Sequence, residues 1–339
     1  MTRTVLVAGE TLVDFLPESD APLAAVERFA RHPGGAPANV AVRLTQLDEP
    51  PWFWTRVGAD PFGQFLVETL VDRGVPDRFV ERDPDAKTTL AFVSGAPEEA
   101  TTVEDEPAAV GDGENSEAAS DEVSPRFTFY RDDTADTRLQ PGRVPAEVLD
   151  TVEWVVLGGV LLASEPSRSA VFDLAERARE RDCTVVFDPN GRPELWPDAD
   201  FETQVRRFLP LADVVKTTPE DLTPAGFAAD PDELASELHE IGVHTVFRTA
   251  GSAGSAASAS GDAPWGPVRV SHAGYEVDAV DTTGAGDAFT AGVVAALADG
   301  ERDLERVLAR ANAVAAASTT RHGGMSELPD PAVVTEHRS

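Results

Sequence analysis

The chain has 339 residues, and its 60 Asp and Glu against 28 Lys and Arg give a formal net charge of -32 and an isoelectric point of about 4.4. This length is enough for one large α/β domain or two ordinary ones. So negative a surface repels nucleic-acid phosphates and anionic lipids, and the single cysteine, Cys183, excludes an intrachain disulfide and a cysteine-based zinc site.

Arginine carries nearly all of the positive charge, because Lys87 and Lys216 are the only lysines. Abundant Asp, Glu and Ala with almost no Lys is typical of a halophilic protein, in whose molar salt the Debye length falls to about 3 Å. The alternative is an ordinary acidic protein. The chain starts with a short apolar run and contains no stretch of 18 apolar residues. We therefore expect a cytoplasmic protein without a signal peptide or a transmembrane helix.

Short apolar runs alternate with helical patterns along the chain. The predicted strands are Val5–Ala8, Trp52–Val57, Trp154–Leu157, Thr184–Phe187, Val214–Val215 and Thr245–Arg248. The predicted helices are Ala38–Leu47, Gly63–Arg73, Arg168–Arg181, Pro231–Ile241, Gly286–Ala298 and Leu304–Thr319. This alternation predicts an α/β fold in which helices cover both faces of a mostly parallel sheet.

Some segments depart from this rhythm. Thr11–Leu16, Thr88–Ser94 and Arg126–Arg131 alternate apolar and polar residues, which predicts a small β-sheet that projects as a lid. Ala96–Ser124 holds ten Asp and Glu and no Lys or Arg, so we expect a disordered acidic insertion there. Gly251–Gly261 is rich in Ser, Ala and Gly and predicts a surface loop.

The most informative motif is Asp281–Phe289, with the sequence DTTGAGDAF, which opens a helix of small residues. The amide groups at such a helix start bind anions, so an aspartate inside the turn is unexpected there. Asp287 makes chemical sense if it takes a proton from a hydroxyl while the amides stabilise a transferring phosphoryl group. The alternative is that Asp287 only caps the helix. A Walker A loop is excluded, because neither lysine follows a glycine.

The DTTGAGDAF block resembles the C-terminal signature of the ribokinase-like (PfkB) sugar kinases. Gly34–Ala41, with the sequence GGAPANVA, resembles the first signature of that family, and Arg56–Gly63 resembles the segment that follows it. The resemblance covers essentially the whole chain. It implies one ribokinase-like kinase domain over residues 1–339, with a three-layer α/β/α fold. The lid would comprise about 10–34 and 86–135, with the disordered acidic insertion at 96–124.

The resemblance also implies roles for particular residues. Asp287 would be the catalytic base, and Gly284, Ala285 and Gly286 would form the anion hole. The sugar would be bound by residues that match the family's substrate contacts, namely Asp14, Gly34, Gly35 and Asn39. Gly34 and Gly35 allow the backbone to approach a ligand closely, although a plain turn is the alternative. Asn39 offers both a donor and an acceptor to a polyol.

On the nucleotide side, Lys216–Glu220 lies where the family usually has Asn-x-x-Glu, with Thr217 in place of the Asn. Lys216 and Glu220 would then face the cofactor, and Glu220 would contact Mg²⁺ indirectly, through water; a helix-capping acid is the alternative for Glu220. Thr249, Gly251 and Gly254 resemble a turn that contacts ATP, and Asn312 matches an adenine-side position. The implied cofactors are ATP and Mg²⁺, with K⁺ as a further ion.

The acceptor is indicated by two further blocks, Phe129–Arg131 and Asp188–Arg192. These resemble fructokinases, and Tyr130, Arg131 and Arg192 would contact the sugar. The alternative is a 2-keto-3-deoxygluconate kinase, in which such arginines would pair with the substrate carboxylate. An alternative of another class is a non-catalytic sugar or nucleotide sensor. Expected partners are a small sugar and ATP, not nucleic acid or a membrane, with a homodimer that pairs through the lid as a further expectation.

Overall fold

A computed structural model describes residues 3–19, 21–94, 126–196 and 200–336. The strands are β1 Val5–Ala8, β2 Leu12–Pro17, β3 Phe29–Gly34, β4 Trp52–Gly58, β5 Val80–Asp83, β6 Leu90–Ser94, β7 Arg126–Tyr130, β8 Trp154–Gly158, β9 Thr184–Asp188, β10 Val214–Thr217, β11 Thr245–Thr249, β12 Ser255–Ala259 and β13 Val268–His272. The helices are α1 Ala36–Gln46, α2 Pro61–Asp72, α3 Ala146–Leu149, α4 Ser167–Arg179, α5 Phe201–Phe208, α6 Pro219–Leu222, α7 Pro231–Glu240, α8 Ala285–Ala298, α9 Leu304–Thr319 and α10 Pro331–Glu336.

Nine strands form the main sheet in the order β13-β12-β11-β10-β9-β8-β1-β4-β5. The seven strands from β11 to β5 run parallel, while β12 and β13 continue the sheet as antiparallel neighbours. β1 is an inner strand, third from one edge of the sheet, and pairs with both β4 and β8. All parallel strands therefore end at the same edge of the sheet, where ligands bind in folds of this type.

The side chains of the central strands alternate between two separate cores. In β1, Leu6 and Ala8 face a core that includes residues of α4, α5 and α7. Val5 and Val7 face the opposite core, which includes residues of α1, α8 and α9. Helices thus cover both faces of a sheet whose strands are apolar on both sides, as a parallel sheet requires. The predicted three-layer α/β/α architecture is confirmed.

A second, four-stranded sheet has the order β3-β2-β6-β7. β2 pairs antiparallel with β3 and parallel with β6, and β6 pairs antiparallel with β7. The predicted small sheet is therefore present, with β3 as an additional strand. Its strands lie within the ranges 10–34 and 86–135, whereas the acidic insertion at 96–124 lies outside the described residues.

The predicted surface loop at Gly251–Gly261 is wrong. The segment forms a 3-10 turn, Gly251–Ala253, and then β12, which pairs with β11 on one side and β13 on the other. Ala257 and Ala259 are buried in the core that contains α9. The small side chains that resemble a loop are therefore a packing requirement of an inner strand. Among the described residues, no helix has the length and hydrophobicity to cross a bilayer.

Candidate active site

A cavity of about 660 Å³ lies at the carboxyl-terminal edge of the parallel strands. Glu10 follows β1 and Arg192 follows β9, while Lys216 and Thr249 lie at the carboxyl ends of β10 and β11. All four residues line the cavity. The small sheet supplies another wall through Leu12 and Asp14 of β2 and Phe127 and Phe129 of β7. Convergent polar side chains in a large cleft are typical of a ligand site.

Asp287 lies in the first turn of α8 and lines this cavity. The helix begins after Gly284, whose φ of 77° is a left-handed conformation that favours glycine. No side chain caps the helix start, and the Asp287 carboxylate instead accepts a hydrogen bond from Asn39, with 2.7 Å between Nδ2 and Oδ2. The alternative that Asp287 only caps the helix therefore loses support. The predicted anion hole is only partly open, because the Ala285 amide already donates to the Thr282 carbonyl at 3.1 Å. The amides of Gly284 and Gly286 are the ones available for an anion.

The electrostatic setting of Asp287 favours a base near neutral pH. Burial raises its pKa to about 6, although the hydrogen bond from Asn39 acts in the opposite direction. Lys216 lies beneath the same turn, since its Nζ would be 3.2 Å from a Cβ on Gly286. Burial disfavours the Lys216 ammonium, but the charges of Asp188, Asp221 and Asp287 outweigh it and raise the Lys216 pKa. Lys216 thus stays positive beside the anion hole, with its Nζ 3.2 Å from Asp188 Oδ2.

The predicted sugar-binding residues lie around the same cavity, with Asn39 in contact with Asp287. Asp14, Gly35 and Asn39 line the cavity directly. Gly34 faces Asp14 so closely that a Cβ there would lie 2.0 Å from Asp14 Oδ2, and a Cβ on Gly35 would lie 2.6 Å from the Glu10 carbonyl oxygen. Burial, together with the charge of Asp287, raises the pKa of Asp14 to about 7. Both positions require glycine because Asp14 and the Glu10 backbone pack against them, and Gly35 also has a φ of 102° at the start of α1.

Two of the three residues predicted from the acceptor blocks line the cavity. Arg131 and Arg192 do so, whereas Tyr130 lies on the other face of the small sheet, 62% exposed and against Phe92. The reason is strand alternation, which directs Phe127 and Phe129 to the cavity and Tyr130 away from it. Arg131 forms a buried ion pair with Asp136, with 2.7 Å between Nε and Oδ2.

Three of the six predicted nucleotide contacts line the cavity, and the other three do not. Glu220, Thr249 and Lys216 line the cavity. Asn312 does not, because its side chain is buried and donates hydrogen bonds to Ser255 Oγ and the Leu308 carbonyl. Gly251 is exposed at the edge of β12, and Gly254 is buried, with a Cβ position only 2.1 Å from the His272 carbonyl oxygen. Neither glycine lines the cavity, and Gly254 is explained by close backbone packing.

The structure adds three acidic residues to which the sequence analysis gave no role. Glu10 is 2% exposed and lines the cavity, Asp136 neutralises Arg131, and Asp188 pairs with Lys216. Glu10 lies two residues after β1, Asp188 is the last residue of β9, and Asp136 follows the Phe129–Arg131 block. That position was the available signal, because the carboxyl ends of parallel strands converge on one edge.

The chain resembles known carbohydrate kinases over nearly its whole length. A family model described as pfkB family carbohydrate kinase matches residues 2–124 and 116–331. A fructokinase from Klebsiella pneumoniae is 34% identical over 339 residues, which is 97% of each chain. A fructokinase from Escherichia coli is 33% identical over 97% of each chain.

Solved structures agree with this similarity. The fructokinase of Vibrio cholerae, solved with fructose, ADP and calcium ion bound, superimposes with a TM-score of 0.77 at 29% identity and covers 98% of this chain and 97% of its own. The fructokinase of Xylella fastidiosa, with bound ATP, gives a TM-score of 0.81 at 25% identity and covers 100% of this chain and 99% of its own. The fold thus has close precedents among solved fructokinase structures.

Proposed function

This chain belongs to the pfkB family of carbohydrate kinases, and from that premise we propose that it phosphorylates a primary hydroxyl of fructose with ATP. One observation carries the proposal: Asp287 is buried in the cavity, beside uncapped amides, and is oriented by Asn39. The fructokinases that match over 97% of their length support the choice of a ketohexose. A non-catalytic sensor has no need for a base beside an anion site, and this chain keeps both.

The proposed reaction is an in-line phosphoryl transfer. Asp287 takes the proton of the acceptor hydroxyl, whose oxygen forms a new bond to the γ-phosphorus of ATP. The bond from that phosphorus to the bridging oxygen breaks, and ADP leaves with the electron pair. The amides of Gly284 and Gly286 and the charge of Lys216 stabilise the negative charge of the transferred group.

The residues present fit Mg²⁺ held mainly by the nucleotide and water. Glu220 lines the cavity and Asp221 is already engaged, accepting bonds from the Thr218 and Gly191 amides. Within the described residues, no cluster of three or more potential ligands could hold a metal ion alone. Glu220 would therefore hold Mg²⁺ through water, and the ion would neutralise phosphate charge. We include K⁺ in the proposal because a related Vibrio cholerae fructokinase structure contains potassium.

The charges around the sugar side favour a neutral acceptor over 2-keto-3-deoxygluconate. Glu10 and Asp14 add two carboxyl groups to that wall. Arg131 is already neutralised by Asp136, which also accepts hydrogen bonds from the hydroxyls of Thr89 and Thr134. A substrate carboxylate would then meet Arg192, whose Nη1 already donates to the Gly191 carbonyl, and an Arg131 whose charge is already balanced. A neutral ketohexose does not need an arginine pair.

We further propose that the small sheet acts as a lid and pairs two copies of the chain. Closure would exclude water, which would otherwise receive the phosphoryl group. The sheet carries an aromatic cluster on its face away from the cavity, comprising Phe15, Phe29, Phe92 and Tyr130. Tyr130 is 62% exposed there, which supports an interface. A dimer would appear in light scattering as twice the 36.0 kDa chain mass.

A coupled assay of ADP release in molar KCl, with a panel of sugars, tests the reaction. We expect turnover with fructose and little with 2-keto-3-deoxygluconate. Asp287→Asn should lower kcat by about 10²–10⁴, the usual contribution of a general base, with little change in the KM for sugar. Asp299→Asn, at the other end of α8 and outside the cavity, is the matched control. Turnover of Asp287→Asn within tenfold of the unmodified chain would contradict the assignment, and sugar binding without ADP release would indicate a sensor.

A further inference from the structure

Three buried polar atoms on the cavity wall have no hydrogen-bond partner among the described residues. They are Glu10 Oε2, Asn39 Oδ1 and Arg131 Nη2. The three residues are only 2%, 5% and 8% exposed. Buried polar atoms are nearly always paired, because an unpaired one costs about 1–3 kcal/mol. Three unpaired atoms around one cavity indicate the positions where a polar ligand completes the hydrogen bonds, and Glu10 is the one without a role so far.

Close packing fixes the Glu10 carboxyl group at the ends of two neighbouring strands. Glu10 lies two residues after the end of β1, and a Cβ on Gly9 would overlap Pro37. On the neighbouring strand β8, a Cβ at Gly158 would lie 2.9 Å from Pro37 Cγ and 3.8 Å from Glu10 Oε2. Glu10 Oε2 is therefore enclosed beside Pro37 and Gly158, while Glu10 forms part of the cavity lining.

The charges around Glu10 suit a hydroxyl group better than a second ion. Arg131 is the nearest positive influence on its carboxyl group, but Asp136 neutralises that guanidinium through Nε. Burial raises the pKa of Glu10 to about 8, so the carboxyl group is largely protonated at pH 7. A protonated carboxyl donates one hydrogen bond and accepts another. A sugar hydroxyl has the same pair of capacities.

We propose that Glu10 is a substrate-binding residue that hydrogen-bonds a sugar hydroxyl through Oε2, beside Arg131 Nη2, and so selects an acceptor without a carboxylate at that position. The inference rests on the proposed function, since it concerns the acceptor of that kinase. The proposed Glu10 contact is separate from the contacts of Asp14 and Asn39 on the same cavity.

The test compares Glu10→Ala and Glu10→Gln with Thr55→Val. Thr55 is the matched control because its Oγ1 is equally buried and unpaired but does not line the cavity. Glu10→Ala should raise the KM for fructose roughly 10- to 100-fold, with the KM for ATP within twofold. Glu10→Gln, which keeps a donor and an acceptor, should raise it less than Glu10→Ala. Thr55→Val should leave both constants unchanged.

Thermal unfolding separates binding from a structural role. Since an unpaired buried carboxyl costs stability, both Glu10 variants should unfold at the same temperature as the unmodified chain or higher, while the fructose-induced rise in Tm should shrink. A lowered Tm in Glu10→Gln with an unchanged fructose-induced rise would overturn the inference. A fructose KM within twofold in Glu10→Ala would also overturn it.

The outcome for the unmodified chain keeps the two proposals distinguishable. If another neutral sugar is phosphorylated and fructose is not, the proposed acceptor is wrong, and the Glu10 measurements are made with that sugar. If fructose is phosphorylated and Glu10→Ala keeps its KM, the function stands and the Glu10 inference is wrong. If only carboxylate-bearing sugars are phosphorylated, the selection assigned to Glu10 is wrong.

Discussion

Asp287 combines two demands that usually conflict. A base for phosphoryl transfer must be shielded from water, yet burial makes a carboxylate hold its proton. Here Asn39 offsets part of the cost by donating to Oδ2, and Lys216 and Arg192 add favourable charge. The resulting pKa of about 6 is close to the working range of a general base.

The pKa of Asp287 determines the pH below which kcat/KM should fall, which is the acid limb of the pH profile. The proposed base is active when deprotonated, and its pKa is raised to about 6, so kcat/KM should fall as pH drops below about 6, by roughly tenfold per unit. The groups that face Asp287 include Asn39, Asp188, Lys216 and Arg192. The measurement is kcat/KM for sugar between pH 5 and 9 at constant ionic strength.

Asn39→Ala provides the comparison for that profile. It removes the hydrogen bond that lowers the Asp287 pKa, so the acid limb should move to higher pH. The Thr55→Val variant should keep the limb of the unmodified chain. A profile that is flat down to pH 5, or a limb that does not move in Asn39→Ala, would contradict a catalytic base at Asp287.

At the level of elements, α8 depends on close contact with α9. Gly292 lies in the middle of α8, and a Cβ there would be 2.7 Å from Ala311 Cα on α9. The backbones therefore meet where a side chain has no room, and the pair holds the start of α8 beneath the cavity. We expect Gly292→Val to lower the free energy of unfolding by about 1–3 kcal/mol, the usual cost of overpacking.

Urea unfolding followed by circular dichroism measures this change. Gly261→Ala is the matched control, since a Cβ there meets nothing within 4 Å. The control should change the free energy of unfolding by less than about 0.5 kcal/mol. A similar loss in both variants would mean that the α8–α9 contact is not the cause.

Periodicity explains which elements could be predicted from the sequence. Leu304–Thr319 matches the observed α9 because its apolar residues repeat with a helical period, and Val5–Ala8 matches β1 because it is a short, continuous apolar run. β12 was mistaken for a loop because its side chains are Ser and Ala, which are uncommon in strands. Its conformation is imposed by pairing on both sides and by the proximity of α9, where Asn312 donates to Ser255. Such tertiary causes leave no local pattern.

The residues of the candidate site could likewise be predicted only in part from the sequence. Asp287, Asn39 and Asp14 could be placed together from motifs, because each motif carries chemistry that few other arrangements need. The ion pair of Arg131 with Asp136 could not be foreseen, although the two residues lie in one short segment. Nor could the sequence tell which of Phe129 and Tyr130 faces the cavity, because this depends on how β7 packs against the site.

At the scale of the whole molecule, the net negative charge determines how stability should depend on salt. A net charge of -32 on 339 residues creates repulsion that salt screens, while the hydrophobic cores are little affected by screening. We expect Tm to rise by roughly 5–10 °C between 0.1 and 3 M KCl. Since each kcal/mol of unfolding free energy shifts Tm by about 2–4 °C, this rise corresponds to a few kcal/mol of added stability. Differential scanning calorimetry measures this rise.

Sucrose at matched osmolality is the control, because it is excluded from protein surfaces without screening charge. It should raise Tm less than KCl does. A Tm that falls with KCl would show that surface ion pairs of arginine, such as Arg179 with Asp213, stabilise the fold more than the repulsion between carboxylates destabilises it.

The pairing of β1 on both of its edges has a consequence for synthesis on the ribosome. Val5 leaves the exit tunnel early, yet one of its partners is Trp154. At about 5–20 residues per second, one edge of β1 stays open for roughly 7–30 s. All four strands of the small sheet precede β8, so the wall of the cavity can pair while its floor is still incomplete. A nascent chain stalled before Trp154 would expose an apolar strand edge and become a target for chaperones.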